Sequence, residues 1–200
     1  MSHRFSPAAT TVNGATTLTQ RIVKPTALSV LFAVLLWAAT AAGAMPIPGT
    51  PVPITLQTFV VMLAGLMLTP GQAAGAVTMY LAAGAAGLPV FAGGMSTAAL
   101  VSPAGGFLLG FLPGVLVTAL FKGPRRTDST THVMLTALRY GAASLIGCVV
   151  VVYAVGIAMQ SVLTGAPVVA IATASAGFIV GDVVKATVAS LAAAGIARLR

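Results

Sequence analysis

The feature that most constrains this chain is an interval without charge. Between Lys24 and Lys122 lie 97 consecutive positions with no Asp, Glu, Lys or Arg. A soluble domain carries charge at about one position in four and covers its core with polar groups. Here only 6% of positions are charged, 58% are hydrophobic and the mean hydropathy is +1.05. No water-facing surface can be built from such a run, so the chain reads as an integral membrane protein. Disorder and a conventional soluble enzyme are excluded on the same ground. The net charge of +8 arises from ten bases against two acids. Most of those bases flank apolar runs, so they mark topology and not a nucleic-acid partner. Cys148 is the single cysteine and permits no disulfide within the chain.

At about 20 residues per crossing, this length allows five to seven helices. The apolar stretches are continuous and rich in Ala, Leu and Gly, whereas a membrane β-barrel would alternate over about ten residues. The fold class expected is therefore all-α, a polytopic bundle. The first run spans 27–44 and stops at MPIPGTPVP, where four prolines in eight residues break any helix. A second spans 54–68 and ends at Thr-Pro-Gly. A third covers about 72–86, a fourth about 107–121, and a fifth about 133–159. The Gly/Ala/Ser/Pro stretch 87–106 reads as loop. The segment 167–197 would be roughly 46 Å long as one helix, more than a bilayer needs. The reading is a loop over 161–177 and a sixth helix over 178–199.

Basic residues orient this arrangement. Arg21 and Lys24 precede the first run, Lys122, Arg125 and Arg126 follow the fourth, and Arg198 and Arg200 follow the last. With six crossings all three clusters share one side, which the positive-inside rule makes cytoplasmic. Five or seven crossings would split them. Residues 1–24 read as a flexible cytoplasmic tail and 25–200 as the membrane domain. A cleaved signal peptide is the rival for the first run, but its apolar core is longer than usual and its loss would spoil the charge pattern.

Few residues carry chemistry. The chain has no metal-ligating cluster, no glutamate and no GxxxxGK[ST] phosphate loop. Asp182 and Lys185, in GDVVKATVA, are the sharpest feature, because i,i+3 spacing puts both on one helix face and lipid would reject either alone. With the sixth helix starting near Phe178, Asp182 would sit at its positive N-terminal end. The pair is either a self-satisfied helix lock or a recogniser of a ligand with donor groups and an anionic end. Gln57, at the start of the second helix, is a helix–helix hydrogen bonder or a pocket amide. Tyr80 is an interfacial tyrosine or a pocket hydroxyl, and Phe91, flanked by glycines, is an aromatic contact on an outer lid. On the first helix Ser29, Ala33 and Ala41 form a small-residue face for close contact, internal or with a partner.

Three stretches together resemble a known family. They are PVPITLQTFVVMLAGLMLTPGQAAGAVTMYLAAGAAGLPVFAGG, SPAGGFLLGF and VGDVVKATVA. They look like the BioY family, the biotin-specific substrate-binding (S) component of energy-coupling-factor (ECF) vitamin transporters, over roughly residues 25–198. The resemblance implies six transmembrane helices in the bacterial cytoplasmic membrane, both termini inside, and a biotin site near the outer face. It implies no cofactor and no catalysis. Its partners would be the lipid bilayer, a transmembrane T component and ABC-type ATPases, with the Ser29, Ala33 and Ala41 face as docking surface.

Carried over by motif, the family's GDxxK pair falls on Asp182 and Lys185 and its Thr–Gln pair on Thr55 and Gln57. Its tyrosine falls on Tyr80 and its PVF on Pro89, Val90 and Phe91. Biotin's carboxylate would pair with Lys185, its ureido group with Asp182, Gln57 or Tyr80, and its ring with Phe91 and Phe107. Two stretches depart from the pattern. Thr69-Pro70-Gly71-Gln72 offers no basic residue for the family's arginine, and Ala104 and Phe107 stand where it has a threonine and a tyrosine, which removes two hydroxyls beside the outer loops. A carrier for another organic anion or vitamin, or a structural membrane subunit, remains the alternative.

Overall fold

A computed structural model describes residues 12–46, 49–126 and 128–198, with side chains from residue 26 onward. Residues 1–11 of the expected tail, and Arg200, lie outside the described residues. The elements are helices α1 (Val12–Ala41), α2 (Gln57–Met67), α3 (Pro70–Ala85), the short α4 (Thr97–Leu100), α5 (Gly105–Phe121), α6 (Thr130–Ser144), α7 (Val152–Thr164) and α8 (Val168–Arg198). A π-helical segment, Leu145–Val151, joins α6 to α7 as one 35-residue helix. Counting that as one, the described residues hold six helical segments of eleven residues or more. In an apolar solvent the backbone must satisfy its own hydrogen bonds, so helix is the only economical state for such runs. Large apolar side chains accordingly point outward, among them Leu31, Trp37, Leu109, Val150 and Val180.

Two boundaries differ from expectation. Helical backbone begins at Val12, well before the apolar run. The proposed loop over 161–177 is instead almost all helix: α7 runs to Thr164, Gly165 turns the chain with φ 69°, and α8 starts at Val168. The stretch VVAIATASAG is rich in alanine, the best helix former, and in lipid a loop there would leave carbonyls unpaired. A helix longer than the bilayer is accommodated by tilt. Asp182 is consequently about four turns inside α8, and the helix-terminus explanation for its charge fails.

α5 is the hub, packing against α7, the π segment, α2 and α3. Its approach to the α6–α7 helix depends on glycine. A Cβ at Gly106 would come within 2.6 Å of the Met159 Cβ, one at Gly110 within 3.1 Å of the Val152 backbone, and one at Gly114 within 2.8 Å of the Gly147 carbonyl oxygen. Opposite them, a Cβ at Gly147 would collide with Thr118 Oγ1 and the Gly114 carbonyl, and one at Gly156 with the Phe107 ring. This Gly-xxx-Gly-xxx-Gly seam is the small-residue contact that matters most in the bundle.

The Ser29, Ala33 and Ala41 face is not a free docking surface. Ser29 is buried and donates from Oγ to the Gln72 carbonyl oxygen at 2.9 Å, Ala33 is partly buried, and only Ala41 is exposed. Small side chains there let α1 close on α3, so the stripe serves an internal contact. Gln72 has a role of its own: it completes a capping box with Thr69, its Oε1 accepting from the Thr69 N–H at 3.0 Å.

At the end where α2, α5 and α8 finish, basic side chains cap carbonyls. Lys122 Nζ donates to Gly65 O at 3.0 Å and to Leu68 O, Arg125 donates to Ala197 O at 2.8 Å, and Arg139 donates to Pro124 O. In the polar linker Asp128 contacts the His132 ring at 2.8 Å. Its own backbone N–H and then that ring hold its carboxyl below the usual range.

Gly147→Ala forces a Cβ into backbone and should destabilise the fold by about 1–3 kcal/mol, read as a lower unfolding midpoint in detergent. Gly195→Ala, with nothing within 4 Å of the added atom, should be neutral or slightly stabilising.

Candidate ligand-binding site

A backbone bridge joins the two ends of the proline-rich segment between α1 and α2. Met45 and Ile54 exchange backbone hydrogen bonds at 2.9 and 2.8 Å, an isolated antiparallel bridge. Directly after this bridge come Thr55 and Gln57, the latter the first residue of α2. Thr55 Oγ1 donates to Gln57 Oε1 at 3.0 Å, which leaves the amide nitrogen of Gln57 to donate to Tyr80 OH at 2.5 Å. Tyr80 OH in turn donates to the Val90 carbonyl oxygen at 3.0 Å and lies 3.2 Å from Thr40 Oγ1. One phenol therefore ties α1, α2, α3 and the loop after α3 together.

That loop carries Phe91. Its ring meets Tyr80 edge-on, with centroids 5.3 Å apart and planes at 86°. It is buried over Gly84, where any Cβ would overlap the ring. A backbone bridge to Met95 closes the turn, and positive φ at Gly93 (71°) and Gly94 (73°) makes it tight.

The ionisable pair lies across from this loop. Lys185 Nζ is 2.9 Å from Asp182 Oδ1, and both side chains are largely buried. Two further groups complete it. Thr58 Oγ1, on α2, accepts from Lys185 Nζ and donates to Asp182 Oδ1, both at 2.9 Å. Tyr153 OH, on α7, donates to Asp182 Oδ2 at 2.7 Å. The carboxylate thus has a partner for each oxygen, the condition for keeping a charge away from water. Lys185 has three N–H donors, and two are used. Tyr153 stands in an aromatic row, 5.9 Å from Phe107 and 6.4 Å from Phe178 between centroids, each edge-on.

These elements enclose a cavity of about 440 Å³, within the range of small-molecule sites. Thr55, Gln57, Phe91, Phe107, Asp182 and Lys185 all line it, so six of the seven ligand candidates meet in one place. Tyr80 does not line it. Its hydroxyl is spent on Gln57 and Val90, so its part is to position the wall. Phe107 enters the cavity as a bare ring, and the hydroxyl at that level belongs to Tyr153. The cavity also takes in Thr58, Tyr153, Phe111 and Phe178, which the sequence reading passed over. Tyr153 was detectable as the one hydroxyl-bearing aromatic inside the apolar VVVYAVGIA run. Thr58 gave no such signal, because a helix side chain's partner 124 positions away cannot be read from spacing.

The fold and site define an all-α membrane protein with a largely apolar cavity and a buried ion pair in its wall. The chain matches the BioY family over residues 8–200. It is 36% identical over 165 residues to the biotin transporter BioY of Rhizobium etli, covering 82% of this chain and 88% of that one. It is 38% identical over 180 residues to the biotin transporter BioY of Rhodobacter capsulatus, covering 85% and 91%. A solved S-component for biotin from an ECF-type ABC transporter superposes with a TM-score of 0.79 at 26% identity, covering 88% of this chain and 92% of that one. The chain belongs to the BioY family.

Tyr80→Phe strands the Gln57 amide and the Val90 carbonyl. It should cost about 1–3 kcal/mol of stability, seen as a lower unfolding midpoint, and should loosen the Phe91 loop, seen as faster amide exchange at 88–95.

Proposed function

We propose that this chain is the biotin-binding S component of an ECF-type uptake system in a bacterial cytoplasmic membrane. The observation that carries the reading is the Asp182–Lys185 pair, braced by Thr58 and Tyr153, in a cavity otherwise walled by apolar and aromatic side chains. Biotin offers a carboxylate, a ureido group with donors and an acceptor, and an apolar ring and chain. The unused N–H of Lys185 takes the carboxylate. Gln57, Thr55 and Asp182 face the ureido group, and Phe91, Phe107 and Phe178 hold the apolar part. Named biotin transporters among the relatives, matched over most of their length, support the ligand.

In this reading the six helical segments are six crossings, with both termini cytoplasmic and the cavity toward the outer face. Lys122, Arg125 and Arg139 lie at the opposite end from Gln57 and Phe91, as the positive-inside rule requires. Energy in this reading comes from outside the chain. A transmembrane T component and ABC-type ATPases supply it, as the ECF-type setting of the solved S-component suggests.

Binding of labelled biotin to the purified chain tests the ligand. Lys185→Ala should weaken binding by about 30-fold or more, the cost of leaving a desolvated carboxylate unpaired, with a smaller effect on unfolding. Parallel losses of binding and folding would show the pair to be only a helix lock. Equal competition by unrelated organic anions would point to a different cargo. For orientation, single-cysteine reporters at Thr50 and Arg126 in a Cys148→Ala background should label from opposite sides, Thr50 from outside. Labelling of both from one side would reject the six-crossing arrangement.

A further inference from the structure

A second pocket, of about 160 Å³, lies at the other end of the bundle where α2 and α8 finish. Its lining combines Lys122, Arg125 and Tyr140 with the apolar Leu66, Met67 and Ile196. Two observations set it apart from an ordinary surface crevice. Tyr140 is 4% exposed, yet its hydroxyl has no hydrogen-bond partner among the described residues. The ring is buried while the hydroxyl oxygen is not enclosed by protein, so it opens onto this pocket. The charges are also uncompensated. The chain's two acidic side chains are committed elsewhere, Asp182 to Lys185 and Asp128 to His132. Among the described residues, Lys122 and Arg125 meet only neutral carbonyls.

Donor capacity remains. Lys122 uses two of its three N–H groups and Arg125 one of its five. These N–H groups and the Tyr140 hydroxyl border a space that suits a tetrahedral oxyanion. The depth says which one. Helix ends of a membrane protein lie at headgroup level, and Leu120, Phe121 and Leu138 are exposed close by, as lipid-facing side chains are. Leu66, Met67 and Ile196 offer an alkyl wall beside the cations.

We propose that this pocket is a binding site for the phosphate of an anionic phospholipid, clasped by Lys122, Arg125 and Tyr140. Basic pockets between helices at the cytoplasmic leaflet suit such headgroups, and a lipid without net negative charge leaves the two cations uncompensated. The site is separate from the ligand cavity and does not rest on what that cavity binds.

The test uses the full purified chain in detergent, with lipid retention read by native mass spectrometry and stability by thermal unfolding. Phosphatidylglycerol should be retained and raise the unfolding midpoint by about 2–4 °C, and phosphatidylcholine should do neither. Tyr140→Phe removes only an unpartnered hydroxyl, so it should fold as the parent does while holding phosphatidylglycerol several-fold more weakly. Arg125→Gln keeps an N–H for the Ala197 carbonyl and should weaken retention about tenfold. Unchanged binding in the ligand cavity is the control for folding. Equal retention of both lipids, or undiminished preference in both variants, would overturn the proposal. So would an equal rise in midpoint from inorganic phosphate or from a polyglutamate peptide, since either places the anion outside the bilayer.

Discussion

A carboxylate in an apolar medium has to be answered on both oxygens, and Asp182 is the point on which much of this bundle converges. Its partners come from three helices: Thr58 from α2, Tyr153 from α7 and Lys185 from α8 itself. Satisfying one charge therefore fixes the relative depth of those helices. Since these groups also line the cavity, the cost of burying the charge and the capacity to recognise a ligand are located in the same atoms. A change at Asp182 acts on packing and on recognition together.

The cavity needs a second condition, which is close backbone approach. Gly106, Gly110 and Gly114 on α5 lie against Gly147 and Gly156 across the seam. The π segment sits there, opposite Gly114 and Thr118. Below Phe107, tight packing at Gly156 brings Phe107 and Tyr153 into one aromatic row. The hydroxyl that orients Asp182 is thus placed in part by Gly156, one turn away on its own helix, and by the α5 glycines packed against that helix. On the other side of the cavity Tyr80 does the equivalent work with hydrogen bonds, joining Gln57 to the loop that presents Phe91.

The two ends of the bundle use polar groups in opposite ways. Around the cavity, side-chain hydroxyls and amides satisfy one another and leave a few donors facing inward. At the far end, cations satisfy the last carbonyls of α2 and α8, and their charge is left over. With ten bases and two acids, the chain cannot neutralise that end from its own side chains, and the excess charge is left to water and headgroups.

Much of this was legible in the sequence because lipid is an unforgiving solvent. Ninety-seven charge-free positions can only be buried in a membrane, prolines at 46–53 must interrupt a helix, and an Asp–Lys pair three residues apart in an apolar run must share a face. Gln57, Phe91, Asp182 and Lys185 stood out from the residues themselves, Thr55 and Phe107 only through the family resemblance, and all six line one cavity. The start of α8 was not, since an Ala-rich segment of 31 residues fits either one long tilted helix or a loop and a shorter helix, and only the tertiary structure decides. Nor was the burial of Ser29, the withdrawal of Tyr80 behind the cavity wall, or the arrival of Thr58 and Tyr153 at Asp182. Those depend on which faces of distant helices meet. A one-dimensional pattern gives the period of a helix and the solvent around it, while the rotation of each helix about its axis is set by the neighbours that interlock with it.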